Sequence, residues 1–138
     1  IESNKRDHAV ISILIVDRNP HVREFLQREL QGQGYAVLAA GSAGDMLSRL
    51  AGVEAPKVVV LDPDLPDLGG LPLIKRLGRE FPGVRLVVHA HGHEGGLERA
   101  GAPLVEKDGR TGPLLDAVRS AAQACAGSGR DGGAGGTA

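Results

Sequence analysis

One stretch, residues 57–70 (KVVVLDPDLPDLGG), limits the folds open to this chain more than any other. It opens with an apolar run from Val58 to Leu61, in which valine predominates. A short continuous run of this kind is typical of a strand buried on both faces, as in a parallel sheet covered by helices. The run stops at Asp62, and a loop-like segment with further acids, Asp64 and Asp67, follows. A carboxylate at the carboxyl end of a central parallel strand lies where open α/β sheets bind their ligands.

The composition is that of an ordinary globular domain. A chain of 138 residues with 41% hydrophobic residues is long enough to bury a core. The formal net charge of -1 gives no overall attraction to nucleic acid or to a membrane surface. No apolar run approaches the length of a membrane span, and the single cysteine, Cys125, excludes an internal disulfide. We therefore expect a cytoplasmic domain that binds neither nucleic acid nor membrane directly.

Strand-like and helix-like segments alternate along the chain. The predicted strands cover residues 9–16, 35–40, 58–61, 84–89 and 104–105. Predicted helices follow Asn19-Pro20, Ser42, Gly70 and Gly112-Pro113. Asn and Ser are residues that cap helix starts, and Pro fits the first helical position. The alternation predicts an α/β fold, a doubly wound parallel sheet of about five strands with helices on both faces.

Both ends of the chain differ in composition from the middle. Residues 1–8 are polar and charged, and we interpret them as a flank or linker. Between residues 127 and 138, six of twelve residues are glycine, which predicts a flexible tail tethered to an input or output domain. The predicted folded domain therefore covers residues 9–126.

Charged residues follow three of the predicted strands. Asp17 and Arg18 follow the first, Asp62 follows the third, and Lys107 comes directly after the last. Because parallel strands end at the same edge of a sheet, we expect these side chains to converge. Carboxylates gathered at one place repel each other unless a cation neutralises them.

Several motifs occur in the order found in a known family. They are ILIVD with RNP, the Gly-Tyr at residues 34–35, VLDPDLPDLGGL, and EKD followed by LLDAV. Together they resemble the receiver domain of two-component response regulators, the chemotaxis-regulator-like family, over residues 11–122. The resemblance implies a flavodoxin-like fold and phosphorelay signalling with a histidine kinase or another signalling protein. It implies no enzyme activity beyond phosphoryl acceptance and self-dephosphorylation, and it leaves a homodimer open.

The resemblance also implies roles for individual residues. Asp62 matches the aspartate that accepts a phosphoryl group, and Lys107 matches the lysine that contacts this carboxylate and the phosphoryl oxygens. Asp17 matches the first acid of the pair after the first strand. With Asp62 and the backbone carbonyl of Asp64, it would complete a site for Mg²⁺, the divalent cation that phosphoryl transfer needs.

Arg18 is the first departure from the family pattern. It stands where the family usually has the second acid, which holds Mg²⁺. A guanidinium cannot bind a metal, and its fixed charge near Asp62 opposes one. Arg18 is therefore expected either to pair with Asp62 in place of the missing cation or to point into solvent.

Other departures concern the switching machinery. The family has a Ser or Thr at the end of the fourth strand, but residues 50–110 contain neither, and His89 or Ala90 takes that place. The switch aromatic three residues before the lysine is replaced by Leu104. Residues 91–101 are about one turn shorter than the family norm, which predicts a shortened fourth helix.

Three histidines, His89, His91 and His93, alternate along the chain. On an extended backbone they would point the same way and offer a metal site. A loop of solvated histidines, with His89 packed near the acid site, is the favoured alternative.

These observations leave three functional hypotheses. The first is a degenerate receiver, or pseudo-receiver, that signals through protein–protein contacts with little or no dependence on phosphorylation. The second is a working phospho-acceptor with atypical switching, because Asp62 and Lys107 both remain. The third, a small flavodoxin-like or nucleotide-binding enzyme, is disfavoured because no glycine-rich phosphate loop follows the first strand.

Overall fold

The computed structural model describes residues 10–69, 71–92 and 102–135. Five parallel strands form one sheet in the order β2-β1-β3-β4-β5. The strands are β1 Ser12–Val16, β2 Ala36–Ala40, β3 Val58–Leu61, β4 Arg85–Ala90 and β5 Leu104–Glu106. The helices of the described residues are α1 Pro20–Gly32, α2 Ala43–Leu50, α3 Leu71–Glu80 and α4 Gly112–Gly135. The predicted α/β class, with its doubly wound five-stranded parallel sheet, is confirmed.

Helices cover both faces of the sheet because its central strands are apolar on both sides. All four residues of β3 are buried. Side chains of a strand alternate between faces, so β1 and β3 each supply two separate cores. One core contains Ile13, Ile15, Val58 and Val60 with Leu26, Leu30, Leu114 and Val118 of α1 and α4. The other contains Leu14, Val16, Val59 and Leu61 with Met46, Leu50, Ile74 and Leu77 of α2 and α3.

Both expected helix caps are present. The side chain of Asn19 accepts hydrogen bonds from the amides of His21 at 2.8 Å and Val22 at 3.4 Å, and Pro20 is the first residue of α1. The hydroxyl of Ser42 accepts a bond from the amide of Asp45 at 3.1 Å. These bonds satisfy amides that have no partner inside the helix. They fix where each helix leaves the carboxyl edge of the sheet.

The strand register brings the predicted site together. Val16 of β1 pairs with Leu61 of β3, and Leu61 pairs with Val88 of β4. The next residues along, Asp17, Asp62 and His89, therefore lie side by side at the carboxyl edge. Lys107 joins them after β5, where its amide donates to the carbonyl of Ala90 at 2.8 Å.

The last helix is longer than the sequence indicated. Helix α4 continues to Gly135, whereas the predicted folded domain ends at residue 126 and a flexible tail was expected beyond it. Glycine is a weak helix former, but residues 113–135 contain no proline after Pro113, so no residue interrupts the backbone hydrogen bonds. The division into domain and linker remains a prediction.

Two further observations concern the helices. The predicted shortened fourth helix concerns residues 91–101, of which residues 93–101 lie outside the described residues. Among the helices that the structure describes, none combines the length and the apolar character required to cross a bilayer.

Candidate functional site

Asp62 is the centre of the site and is almost fully buried, at 1% exposure. Its own amide donates to the carbonyl of Val16 at 2.8 Å, which extends the β1–β3 pairing to the strand ends. Its Oδ1 accepts a bond from the amide of Asp64 at 2.9 Å, and its Oδ2 accepts one from the amide of Arg18 at 3.3 Å. Backbone donors therefore hold both carboxylate oxygens in place.

Lys107 neutralises the inner side of the site. Its Nζ lies 2.8 Å from Oδ2 of Asp17 and 3.5 Å from Oδ1 of Asp62, and its side chain is only 11% exposed. The other oxygen of Asp17, Oδ1, accepts a bond from the amide of Asn19 at 2.9 Å. The structure thus brings together the three charged residues that the sequence placed at three strand ends, and the lysine bridges the two acids.

Arg18 borders the outer side. Its Nε lies 3.7 Å from Oδ2 of Asp62, and its Nη1 donates to the backbone carbonyl of Asp64 at 3.4 Å. Its Nη2 lies 3.7 Å from the carboxylate of Asp64. The side chain remains 53% exposed. Two orientations were expected for Arg18, and the structure has the one in which it pairs with Asp62. These contacts are long, and the side chain is partly exposed to solvent.

The predicted donor set does not fit Mg²⁺ in this arrangement. The ion would need oxygens of Asp17, Asp62 and the Asp64 carbonyl, but each of these residues already contacts a cationic side chain. Arg18 reaches both Asp62 and the Asp64 carbonyl, and two cations cannot share the same small space without strong repulsion. The described part of the chain has no cluster of three or more His, Cys, Asp or Glu residues arranged for a metal.

His89 and Ala90, the two candidates for the lost switch hydroxyl, differ in their surroundings. Ala90 is fully buried and packs in the core with Leu61 and Val88. His89 is 8% exposed and lies in register beside Asp62. Burial lowers the pKa of His89 to about 4, and the charge of Lys107 contributes in the same direction. The imidazole is therefore neutral at pH 7.

The remaining histidines form no site that the structure describes. His91 is exposed at the end of β4, and His93 lies outside the described residues. His89 is buried and interacts electrostatically with Lys107, Asp17 and Asp62. This agrees with the alternative in which His89 packs near the acids. Leu104, at the position of the switch aromatic, is partly buried against the core.

Two residues contribute to the site in ways that the sequence did not reveal. The helical spacing of α1 predicts that Arg23 lies on its solvated side, but Nη1 of Arg23 donates to the backbone carbonyl of Asp17 at 2.6 Å. Asp67 accepts bonds from the amides of Ala43 at 2.8 Å and Gly44 at 3.1 Å, and so ties the loop after β3 to the start of α2. These amide bonds lower the pKa of Asp67.

The fold and the acid–lysine edge define a CheY-like α/β domain, the class that the structural comparisons also return. Residues 13–101, more than half of the chain, match the family described as response regulator receiver domain. The chain belongs to this family. Receiver domains are signalling domains that accept a phosphoryl group, typically bind Mg²⁺ at their acidic pocket, and interact with histidine kinases and output domains.

The individual similarities are moderate. The chain is 31% identical over 84 residues to the probable transcriptional regulatory protein TcrX of Mycobacterium tuberculosis, covering 61% of this chain and 36% of TcrX. A receiver domain protein from Methanospirillum hungatei has a TM-score of 0.76 and 24% identity, covering 87% of this chain and 99% of that one. TrrA from Thermotoga maritima, solved with Mg(2+)-BeF, has a TM-score of 0.73 and 23% identity, covering 81% and 99%. The chain thus spans about a third of the length of TcrX.

Proposed function

We propose that this receiver domain signals through protein–protein contacts with little or no dependence on phosphorylation, as a pseudo-receiver. The observation that carries the proposal is the position of Arg18. Its guanidinium contacts Oδ2 of Asp62 and the backbone carbonyl of Asp64, two of the oxygens that would face a metal ion. Arg18 would thereby stand in for the cation and hold the loop after β3 in one arrangement.

Charge neutralisation is the physical basis of this proposal. Phosphoryl transfer to Asp62 requires a divalent cation that offsets the charge spread over the phosphoryl oxygens. A guanidinium carries one charge and binds oxygens only through hydrogen bonds, without the coordination that a divalent metal ion supplies. The missing Ser or Thr between residues 50 and 110 also removes the hydroxyl that the family uses after phosphorylation. The loss of the divalent cation and the loss of the hydroxyl would both favour a site in which Asp62 pairs with the protein's own basic side chains and accepts no phosphoryl group.

The alternative is a phospho-acceptor with atypical switching, and Lys107 favours it. Asp62 keeps a carboxylate with a lysine 3.5 Å from Oδ1. In that reaction an oxygen of Asp62 would attack phosphorus, forming an O–P bond as the bond to the donor's nitrogen or oxygen breaks. Arg18 is half exposed, so displacing it into solvent would cost little free energy.

Intact mass measurement with acetyl phosphate and Mg²⁺ separates the two functions. We expect the wild-type protein to gain no phosphoryl mass. We expect Arg18→Asp, which restores an acid at this position, to gain one phosphoryl group that is lost again when Asp62→Asn is added. Arg79→Asp, the same change on an exposed helix position, serves as the matched control and should remain unmodified. A stoichiometric adduct on the wild-type protein that disappears in Asp62→Asn would establish the alternative instead.

We further propose that the chain operates as one part of a longer regulatory protein. The relatives at 31% and 34% identity include a probable transcriptional regulatory protein and a transcriptional activator, ExaE of Pseudomonas putida, of which the chain covers 36% and 54%. An input or output domain joined through the glycine-rich segment would receive the signal. A histidine kinase or a second copy of the domain would be its other partners. Size-exclusion chromatography with light scattering tests the dimer directly.

A further inference from the structure

The peptide group between Asp17 and Arg18 is hydrogen-bonded at both ends. Its carbonyl oxygen accepts a bond from Nη1 of Arg23 at 2.6 Å. Its N–H, which belongs to Arg18, donates to Oδ2 of Asp62 at 3.3 Å. The carbonyl and the N–H of a trans peptide group lie in one rigid plane and point in opposite directions. A group that fixes the direction of the carbonyl therefore also fixes the direction of the N–H.

The positive charge of Arg23 strengthens this arrangement. A hydrogen bond donated by a guanidinium is charge-assisted, and such bonds are shorter and stronger than bonds between neutral groups. A carbonyl that binds a cation polarises its own peptide group, so the N–H at the other end becomes a better donor. This N–H donates to the carboxylate of Asp62. A positive group, a peptide group and an acid therefore form one chain of hydrogen bonds.

The end of β2 leaves room for this guanidinium. The last residue of β2, Ala40, accepts a bond from the amide of Asp17 at 3.1 Å through its carbonyl. The guanidinium of Arg23 lies beside the next residue, Gly41, where a Cβ would be 3.0 Å from Nη1 and 3.4 Å from Cζ. Carbon atoms in contact normally lie about 3.5 Å apart or more. A side chain at position 41 would therefore crowd the guanidinium, and glycine leaves the space that Arg23 uses.

We propose that Arg23 is a positioning residue for the acid site, because it holds the peptide group between Asp17 and Arg18 and so directs the Arg18 N–H at Oδ2 of Asp62. Lys107 and the side chain of Arg18 contact the Asp62 carboxylate themselves. Arg23 acts on the same carboxylate through the backbone. The role concerns the direction of one hydrogen bond, and it stands whether or not Asp62 accepts a phosphoryl group.

NMR of the full chain tests this role without Mg²⁺ or a phosphoryl donor, so its outcome is separate from that of the phosphorylation experiment. Arg23→Met keeps much of the side-chain volume but removes the donor. We expect the amide proton of Arg18 and the carbonyl carbon of Asp17 to shift upfield. Hydrogen exchange of the Arg18 amide should accelerate about fivefold, the effect of one ordinary hydrogen bond. Arg28→Met, at an exposed position of the same helix, is the matched control and should change none of these signals.

A second variant displaces the guanidinium and keeps the arginine. Gly41→Val places a side chain where the guanidinium of Arg23 lies, so it should change the Arg18 amide in the same direction as Arg23→Met. It replaces Arg23→Met if circular dichroism shows that the latter is unfolded. In the double variant the two effects should not add, because both substitutions remove the same contact.

Two other amides distinguish a positioning role from a general loosening of the strand ends. The amide of Asp62 donates to the carbonyl of Val16 and that of Lys107 to the carbonyl of Ala90, each at 2.8 Å. Their exchange rates should be unchanged in every variant. The proposal is wrong if the folded variants leave the Arg18 amide as it is in wild type. It is equally wrong if the amides of Asp62 and Lys107 accelerate as much as that of Arg18.

Discussion

The two sides of Asp62 carry the same kind of ion pair in different surroundings. On the inner side, Lys107 is 11% exposed and contacts both Asp17 and Asp62. On the outer side, the Arg18 side chain is 53% exposed and makes contacts of 3.4 Å or more to Asp62 and Asp64. The two sides differ in burial. A charge removed from water needs an ionic partner to offset the lost hydration, whereas a solvated charge does not.

This comparison divides the site into a fixed part and a replaceable part. The inner lysine satisfies two carboxylates that have almost no access to water, so we expect it to contribute strongly to stability. The outer arginine occupies the position where the family has an acid, and its long, half-exposed contacts should contribute little to stability. The following three predictions challenge this division in order of decreasing effect.

The largest effect is expected on the inner side, from Lys107→Met. The change keeps much of the side-chain volume but leaves Asp17 and Asp62 buried without their shared cation. Removing one partner of a buried pair costs about 3–5 kcal/mol of unfolding free energy. Urea denaturation measures it, with the exposed Lys75→Met as the matched control, expected to change stability by about 0.5 kcal/mol or less. Equal losses in the two variants would remove the distinction between a buried and a solvated cation.

An intermediate effect is expected from pH, through His89. Its pKa is about 4 in the folded protein, against 6.5 ordinarily, because the ring is buried and Lys107 is nearby. As pH falls from 6.5 to 4, the unfolded chain takes up a proton that the folded chain resists. The free energy of unfolding should therefore decrease across this window, by about 1–3 kcal/mol.

Comparison with His89→Phe isolates this contribution from that of the carboxylates. The variant should lose less stability than wild type between pH 6.5 and pH 4, as measured by urea denaturation at each pH. His21→Gln, at an exposed position on α1, should retain the wild-type dependence. A His89→Phe profile parallel to wild type would mean that His89 is not held neutral by its surroundings.

The smallest effect is expected on the outer side, from Arg18→Ala. An exposed ion pair contributes about 0–1 kcal/mol, and salt screens it further. Arg76→Ala is a suitable comparison, because Arg76 is similarly exposed and its Nε lies 2.7 Å from the carboxylate of Glu80. Urea denaturation at low and high salt should give similar small losses for both variants. A loss above about 2 kcal/mol for Arg18→Ala would place it with the buried inner side.

Much of the fold follows from local sequence patterns. The apolar run at 58–61 predicted β3 with its bounds, because a strand that is covered on both faces has few polar positions. Asn19-Pro20 and Ser42 predicted the starts of α1 and α2, because capping depends on a few adjacent residues. The end of α4 is not marked by a strong stop signal, so local patterns do not specify its last residue.

Arg23 shows where the helical pattern misled. Its spacing placed it on the solvated side of α1, with other charged residues. Its long side chain nevertheless turns back to the carbonyl of Asp17, and its Nη1 would lie 3.0 Å from a Cβ added at Gly41. Periodicity gives the direction in which a side chain leaves its helix, but not the position of a charged group several bonds further on.

The sequence alone determined the parallel sheet, the edge at which the charges collect, and the identity of the acids and the lysine. These follow from the order of strands and helices along the chain, and local sequence patterns determine that order. The tertiary structure decided which way Arg18 turns, that Asp67 binds the first amides of α2, and that His89 is buried beside the acids. Arg18 and Asp62 are 44 positions apart, and Asp67 and Ala43 are 24 apart. Contacts over such separations depend on the paths of loops between elements, which local patterns do not specify.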